Sequence, residues 1–408
     1  MLMCSGELIE VRNPRSGQID YRFNAPSANE LSTTIQGLRA AQAAWAAAPL
    51  AHRIDVLKRW RTEWIARQGE LVEALSIDTG RYLIAGSEVQ SVTGMIDRWT
   101  NLVPTLAAEK ELRSATLPTI SYRSQYVPYG LVGIISPWNF PVSLCFIDAV
   151  PALLAGCAVF VKPSEVTPRF VAPAMQSIAA VPELAAVFHI QPGGRPTGEQ
   201  LVERSDVVCF TGSVATGRQV AANAARHFIP AFLELGGNDP LIITASADLE
   251  RATDVALRAT SLATGQACQS LERVYVDRRI FDVFVKRLVE KASAIAPNWP
   301  DIHSGTIGPF IFGKQADTVA AQLADAVAKG AKVLCGGQIE DHGGKWLRPT
   351  VLVDVHHGMQ IMSEETFGPV IPVMPFDRIE EAIELANDGV YGLSAGVIAG
   401  SLEEAEAI

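Results

Sequence analysis

The sequence predicts an α/β fold built on two parallel sheets. Two observations carry that prediction. From Leu131 onward, short apolar strands alternate with helical stretches, and turn residues follow each strand. After Gly237 the same alternation starts again with a second set of strands. Strand–helix alternation of this kind is the signature of parallel sheets with helical crossovers.

In chain order, Asn13-Pro14-Arg15-Ser16-Gly17 is a turn cluster behind a short entry segment. Helices are expected over Asn29–Ala48, ending at Pro49, over His52–Asp78, and over Ala85–Leu102, stopping at Pro104. Thr119 to Tyr129 alternates and is rich in tyrosine, which suits an exposed extended ribbon. The first strand series is Val132–Ile135, Ala158–Val161, Val187–Ile190, Val207–Phe210 and Ala231–Leu235. The second is Leu241–Thr244, Arg273–Val276, Lys332–Leu334, Val351–Val355 and Val370–Met374. Helices are expected between them at Asp248–Thr264, Ile280–Ala294, Lys314–Lys329 and Arg378–Ala386. No internal repeat or low-complexity segment interrupts the pattern.

Composition narrows the function classes. The 408 residues are 48% hydrophobic and 19% charged, enough to build large cores and too apolar for a disordered chain. A net charge of −10 gives no basic footprint for nucleic acid. The six cysteines, Cys4, Cys145, Cys157, Cys209, Cys268 and Cys335, are scattered without a C-x-x-C pair. That argues against a disulfide framework or structural zinc and suits a reducing, cytoplasmic setting. His356-His357 lacks acidic or thiol partners at ligand spacing and reads as a solvated loop, not a metal site. The N-terminus shows no signal-peptide pattern. Val142–Val161 is the most membrane-like stretch, but Asp148, Pro151 and Gly156 make it a buried helix followed by a buried strand.

Six segments carry chemistry. In Gly265-Gln266-Ala267-Cys268-Gln269-Ser270 a thiol sits in a polar turn between a helical stretch and a strand, where backbone N–H groups can stabilise a thiolate. Glu234 lies 34 positions earlier, at the end of a strand and before Gly236-Gly237. Ser136-Pro137-Trp138-Asn139-Phe140-Pro141 follows a strand, and Asn139 can offer an amide N–H to a developing oxyanion. Lys162-Pro163-Ser164-Glu165 pairs a cation with two acceptor oxygens, enough to grip vicinal ribose hydroxyls. Thr211-Gly212-Ser213 leads into a helix whose first N–H groups suit a pyrophosphate, although it matches neither a P-loop nor G-x-G-x-x-G. Glu364-Glu365-Thr366-Phe367-Gly368-Pro369 adds two acids before a Gly-Pro turn.

Together, in this order and at these intervals, the segments resemble the aldehyde dehydrogenase superfamily over about residues 13–395. The resemblance implies Cys268 as nucleophile, Glu234 as general base and Asn139 as holder of the substrate carbonyl oxygen. It also implies a nicotinamide cofactor. The residues it places against that cofactor are Ile135, Ser136, Pro137, Trp138, Lys162, Ser164, Glu165, Gly194, Thr211, Gly212, Ser213, Leu235, Glu365 and Phe367. Glu165 favours NAD over NADP, because a carboxylate near the ribose repels a 2′-phosphate. Asn238 departs from the Lys that usually follows Glu-Leu-Gly-Gly.

The expected architecture is a cofactor-binding domain over 1–116 and 131–236, an oligomerisation ribbon over 117–130, and a catalytic domain over 237–408. The expected reaction converts an aldehyde to an acid through a thiohemiacetal and a thioester on Cys268. The resemblance also implies that the residues after Asn139 line the substrate tunnel. Phe140, Leu144 and Ile147 are apolar with no Lys or Arg among them, which points to an uncharged apolar or aromatic aldehyde. An acylating, coenzyme A-dependent enzyme is one alternative; it would lack the base that Glu234 supplies. A cysteine hydrolase is another, and it would want a histidine base. Ser401 to Glu404 reads as a capping box that opens a helix, and the sequence stops at Ile408. Family members continue further, so the expectation is a C-terminally truncated form, with dimer or tetramer assembly and activity impaired.

Overall fold

The computed structural model describes residues 6–108, 111–123 and 125–408. The chain divides into two compact units. The first comprises residues up to 10, then 22–74 and 85–234, and the second comprises 11–21, 75–84 and 235–408. The stretches 11–21 and 75–84 therefore pack with the second unit, although the sequence placed them in the first domain.

The first unit is centred on a five-stranded sheet. Its order is Phe188–Ile190, Ala158–Lys162, Leu131–Ile135, Val207–Thr211, Ala231–Glu234, and every neighbouring pair is parallel. The central strands are buried on both faces, which explains their unbroken apolar runs. The strand order turns around at Leu131–Ile135, so that strand and Val207–Thr211 flank the switch point where ligands bind in open α/β sheets.

Trp60, Trp64, Phe146 and Phe188 are fully buried in one aromatic cluster, Trp64 lying 4.9 Å from Phe146 between ring centres. The Trp60 indole N–H donates to Ser177 Oγ at 3.0 Å and that of Trp64 to the Val89 carbonyl at 2.8 Å. Both polar edges are thus satisfied inside the core.

The second unit has a six-stranded sheet ordered Lys332–Cys335, Thr350–Val353, Val370–Phe376, Leu271–Asp277, Asp239–Ile243, Gly396–Ile398. All pairs are parallel except Lys332–Cys335 with Thr350–Val353. One face packs on Gly313–Ala328 through Ala316, Val319 and Leu323, the other on Leu249–Ser261 and Phe281–Ser293 through Ala256 and Leu288.

The helical N-terminal region departs from expectation in two places. The stretch expected as one helix over His52–Asp78 is two, Leu50–Ala66 and Gln68–Thr79, broken at Arg67 (φ −107°, ψ 12°). The third helix runs from Tyr82 to Leu106 and includes Pro104. Pro104 cannot donate to the Thr100 carbonyl, so the last turn continues with that one bond missing. The membrane-like stretch is the helix Ser143–Ala155 followed by the buried strand Ala158–Lys162. Among the described residues no helix is long and apolar enough to cross a membrane.

The ribbon is shorter than its alternating pattern suggested. Glu111–Arg113 pairs antiparallel with Ser121–Arg123, and residues 125–129 form no strand. Near the end of the sequence Ser401 does cap the helix Leu402–Glu406, accepting from the Glu404 N–H. Glu404 accepts from Gly400 N–H and Ser246 Oγ, so the reciprocal half of the expected capping box is replaced.

Candidate active site

In the first unit the sequence-selected residues gather at one edge of the sheet. Ile135, Lys162, Thr211 and Glu234 are each the last residue of a parallel strand. Four motifs scattered over a hundred positions of sequence are thus brought to the carboxyl ends of neighbouring strands. Lys162 is buried, with Nζ 3.3 Å from Glu165 Oε2, while the Glu165 carboxylate stays partly open. Ser164 Oγ accepts from the Val166 N–H and holds the turn that presents Glu165. Gly194 is the N-cap of the helix Arg195–Arg204 and brings no side chain to its open N–H groups. Ser213 is the N-cap of Val214–Arg226, its Oγ accepting from the Thr216 N–H.

Asn139 is buried in the loop between Leu131–Ile135 and Ser143–Ala155. Ser136 fixes the start of that loop, donating its backbone N–H to the Lys162 carbonyl at 3.1 Å. Glu88 fixes the end. Its Oε2 accepts the N–H groups of Val142 and Ser143, each at 3.2 Å. These are the first donors of the helix and lack intrahelical partners. Sequence reading passed over Glu88, because a single acid within a helical stretch carries no pattern.

The helix Ser143–Ala155 also carries Leu144, Ile147 and Asp148 on its less buried side. Asp148 has its carboxyl pushed up to about 6, first by burial and then by the charge of Glu234. The same Asp148 charge acts on Cys209, which pairs in register with Phe232, two residues before Glu234 on the same side of its strand. Asp148 therefore shares a neighbourhood with Glu234, and nothing in the sequence pattern had singled it out.

In the second unit Cys268 lies in the loop between Leu249–Ser261, extended by the turn Leu262–Gly265, and the strand Leu271–Asp277. Gly265 has φ +66°, and a Cβ on it would lie 2.3 Å from the Gly368 carbonyl carbon and oxygen. Only glycine fits a backbone this close to another backbone. The turn Gly236-Gly237 packs on the same loop. A Cβ on Gly237 would lie 2.8 Å from the Cys268 carbonyl oxygen, and one on Gly236 would lie 2.5 Å from Glu365 Oε2. The Gly237 N–H donates to Glu365 Oε1 at 3.2 Å.

This geometry corrects the electrostatic expectation for Cys268. The N–H groups of Cys268 and Gln269 do favour a thiolate, but burial and the charges of Glu365 and Asp239 outweigh them. The thiol is held above its ordinary value. Burial, partly countered by the Gly237 N–H, pushes Glu365 up to about 7.

Two other buried acids frame the site. Asp239 accepts a short hydrogen bond from Ser394 Oγ. Glu272 accepts the N–H groups of Thr366 and Phe367, each at 2.7 Å. Asn238, at the position usually held by Lys, donates its side-chain amide to the Glu364 carbonyl at 2.6 Å, and its backbone carbonyl accepts from Arg273 Nε at 2.8 Å. It braces the Glu364–Glu365 turn.

Three of the other cysteines are poor nucleophiles by position. Cys145 is fully buried with Sγ 2.8 Å from Ser136 Oγ, its thiol pushed up to about 12. Cys157 is buried, and Cys209 is also pushed up to about 12 by burial. Cys145, Cys157, Cys209, Cys268 and Cys335 are all free thiols, and Cys4 lies outside the described residues.

His357 corrects a smaller expectation. Far from being merely solvated, its Nε2 is 2.9 Å from Tyr275 Oη and its Nδ1 2.8 Å from Asp388. Among the described residues no group of three potential ligands could hold a metal.

Comparison with known proteins fits this assembly. The model of the aldehyde dehydrogenase family matches residues 2–408. The chain is 36% identical over 386 residues to a putative succinate-semialdehyde dehydrogenase [NADP(+)] of Mycolicibacterium smegmatis, covering 94% of this chain and 74% of the relative. It is 34% identical over 399 residues to a 4,4'-diapolycopene aldehyde oxidase of a Methylomonas species, covering 97% and 74%. Among solved structures, the putative aldehyde dehydrogenase PutA of Anabaena variabilis superimposes with a TM-score of 0.96 at 49% identity, over 98% of this chain and 86% of that one.

The fold and the matched motifs define an oxidoreductase of the nicotinamide-dependent, aldehyde-oxidising class. The chain belongs to the aldehyde dehydrogenase family.

Proposed function

We propose that this chain oxidises an uncharged, apolar or aromatic aldehyde to the carboxylic acid with NAD. The observation that carries the reading is the Cys268 loop packed on the Gly236-Gly237 turn. In this assignment Cys268 attacks the aldehyde carbon and forms a thiohemiacetal. Asn139 and the Cys268 backbone N–H stabilise the oxyanion, and one such donor is worth about 3–4 kcal/mol. The nicotinamide, when bound, takes the hydride. Glu234 then activates water, which releases the acid from the Cys268 thioester.

The strand-end residues fit a dinucleotide. Lys162 and Glu165 offer a cation and a carboxylate to a ribose diol, and the uncapped N–H groups behind Gly194 offer donors to a phosphate. Glu165 argues for NAD. The smegmatis relative is named for NADP, so the preference needs measurement.

The substrate class rests on Phe140, Leu144 and Ile147, and on Asp148, whose negative charge near Glu234 opposes an anionic aldehyde. Relatives of similar identity are named for succinate semialdehyde and for 4,4'-diapolycopene aldehyde, so identity alone does not choose between them. Assembly into oligomers would use the hairpin Glu111–Arg113 and Ser121–Arg123, followed by Tyr126 and Val127, which are 78% and 79% exposed.

The test is reduced-cofactor absorbance with hexanal, benzaldehyde and succinic semialdehyde, each with NAD and NADP, with and without coenzyme A. Preference for hexanal or benzaldehyde with NAD, independent of coenzyme A, is expected. Higher efficiency with NADP, or far better turnover of succinic semialdehyde, would overturn the corresponding part.

A further inference from the structure

We infer that Glu272 is a positioning residue for the cofactor's nicotinamide end: its carboxylate fixes the backbone of the turn that presents Glu365 and Phe367. The inference rests on the proposed function, in which Glu365 and Phe367 meet the nicotinamide ribose.

Glu272 stands four residues after Cys268, near the start of the strand Leu271–Asp277. Its side chain is 1% exposed. Oε2 accepts the Thr366 N–H and Oε1 the Phe367 N–H, so two successive backbone donors are divided between the oxygens of one carboxylate. Both donors lie 2.7 Å from their oxygens, at the short end for N–H···O bonds.

They hold a conformation the chain would otherwise avoid. Phe367 has φ +53°, which costs a non-glycine residue about 1 kcal/mol or more. Two amides grip the carbonyl side of the same turn. Gln315 donates to the Thr366 carbonyl at 2.7 Å and Gln322 to the Glu365 carbonyl at 3.2 Å. Glu272 supplies the complementary grip on the N–H side.

An acid is an expensive way to do this in the interior. Burial and the neighbouring charges of Glu365 and Asp239 all disfavour the carboxylate. A buried charge is weak evidence for stability. What a carboxylate offers, and a glutamine does not, is two equivalent acceptors. In Glu272→Gln one arm becomes an NH₂ donor aimed at a backbone N–H, at nearly unchanged volume. The Glu365–Phe367 turn should then lose its fixed geometry while the Cys268 loop, still packed on Gly237, keeps its own.

The experiment compares wild type with Glu272→Gln by NADH and NADPH fluorescence titration, steady-state KM for cofactor and aldehyde, the iodoacetamide alkylation rate of Cys268, and thermal midpoint. The expected result is weaker reduced-cofactor binding by up to about tenfold, the worth of one buried hydrogen bond. Aldehyde KM should stay within about twofold, as for a group the change does not touch. Cys268 alkylation should not slow, since loosening the turn that carries Glu365 adds no charge against its thiol. Unchanged cofactor affinity overturns the inference. So does a parallel fall of cofactor affinity, alkylation and thermal midpoint, which is the mark of a purely structural role. If Glu272→Gln does not fold, Glu272→Asp carries the same comparison, since it keeps the charge but reaches only one of the two N–H groups. Wild-type protein that binds neither NADH nor NADPH would refute the proposed function itself. Wild-type binding with an unaffected variant refutes only the role of Glu272.

Discussion

Gly265 and Gly368 meet backbone to backbone, with room for no side chain on the first: a Cβ there would lie 2.3 Å from the carbonyl of the second. This contact sets the distance between the Cys268 loop and the turn that carries Glu365. Gly265→Ala should combine positive-φ strain with overpacking and cost about 2 kcal/mol or more. The check is a denaturation curve together with turnover. A fully stable, fully active Gly265→Ala protein would show that the loop can move away freely.

The charge around Cys268 predicts an unusual alkylation profile. Because burial, Glu365 and Asp239 hold the thiol above its ordinary value, the iodoacetamide rate should keep rising to a higher pH than for an unperturbed cysteine. Removing one negative neighbour favours the thiolate, so Glu365→Gln should move the profile to lower pH. A profile in Glu365→Gln that stays in place would mean that the carboxylate does not act on the thiol.

Nucleophile and base should separate in time. Cys268→Ala should abolish dehydrogenase activity. Glu234→Gln should form the thioester, release one burst of reduced cofactor and stall. Stopped-flow absorbance resolves the two phases. Normal steady-state turnover by Glu234→Gln would remove Glu234 from the role of base.

Asp148 should discriminate by charge. A carboxylate beside the reacting region opposes an anionic substrate by about 1–2 kcal/mol at a protein-like dielectric. Asp148→Asn should therefore improve succinic semialdehyde relative to hexanal by roughly tenfold in kcat/KM. In wild type the discrimination should weaken as pH falls through about 6, where Asp148 takes up its proton. A ratio that ignores both the mutation and pH would place Asp148 away from the substrate.

Much of the fold was legible because long parallel strands announce themselves. Leu131–Ile135 and Ala158–Lys162 are buried on both faces, so their apolar runs are continuous and stop at turn residues. Three-residue elements gave no such run. Gly396–Ile398 became a strand only by pairing with Asp239–Ile243, a tertiary event that local composition does not encode. Pro104 misled for the opposite reason: a proline removes one hydrogen bond, and a helix of 25 residues can continue for two residues past it.

The site residues were legible as motifs, their supports were not. Asn139, Lys162 and Cys268 each sit in a recognisable run. Glu88 and Glu272 do not, because their partners are backbone N–H groups 54 and 94 positions away. Asp148 looked like a helix residue and gained its meaning from Glu234, on another element. The state of Cys268 was misjudged because its own loop favours a thiolate, while the acids that reverse the balance come from elsewhere in the chain.

Glu88 and Glu272 grip main chain rather than side chains. The side chains of Val142, Ser143, Thr366 and Phe367 are therefore not part of either grip. Proline is the one residue that would break a grip outright, because it removes the donor. A proline at any of these four positions should therefore release its loop even where the new ring could be packed.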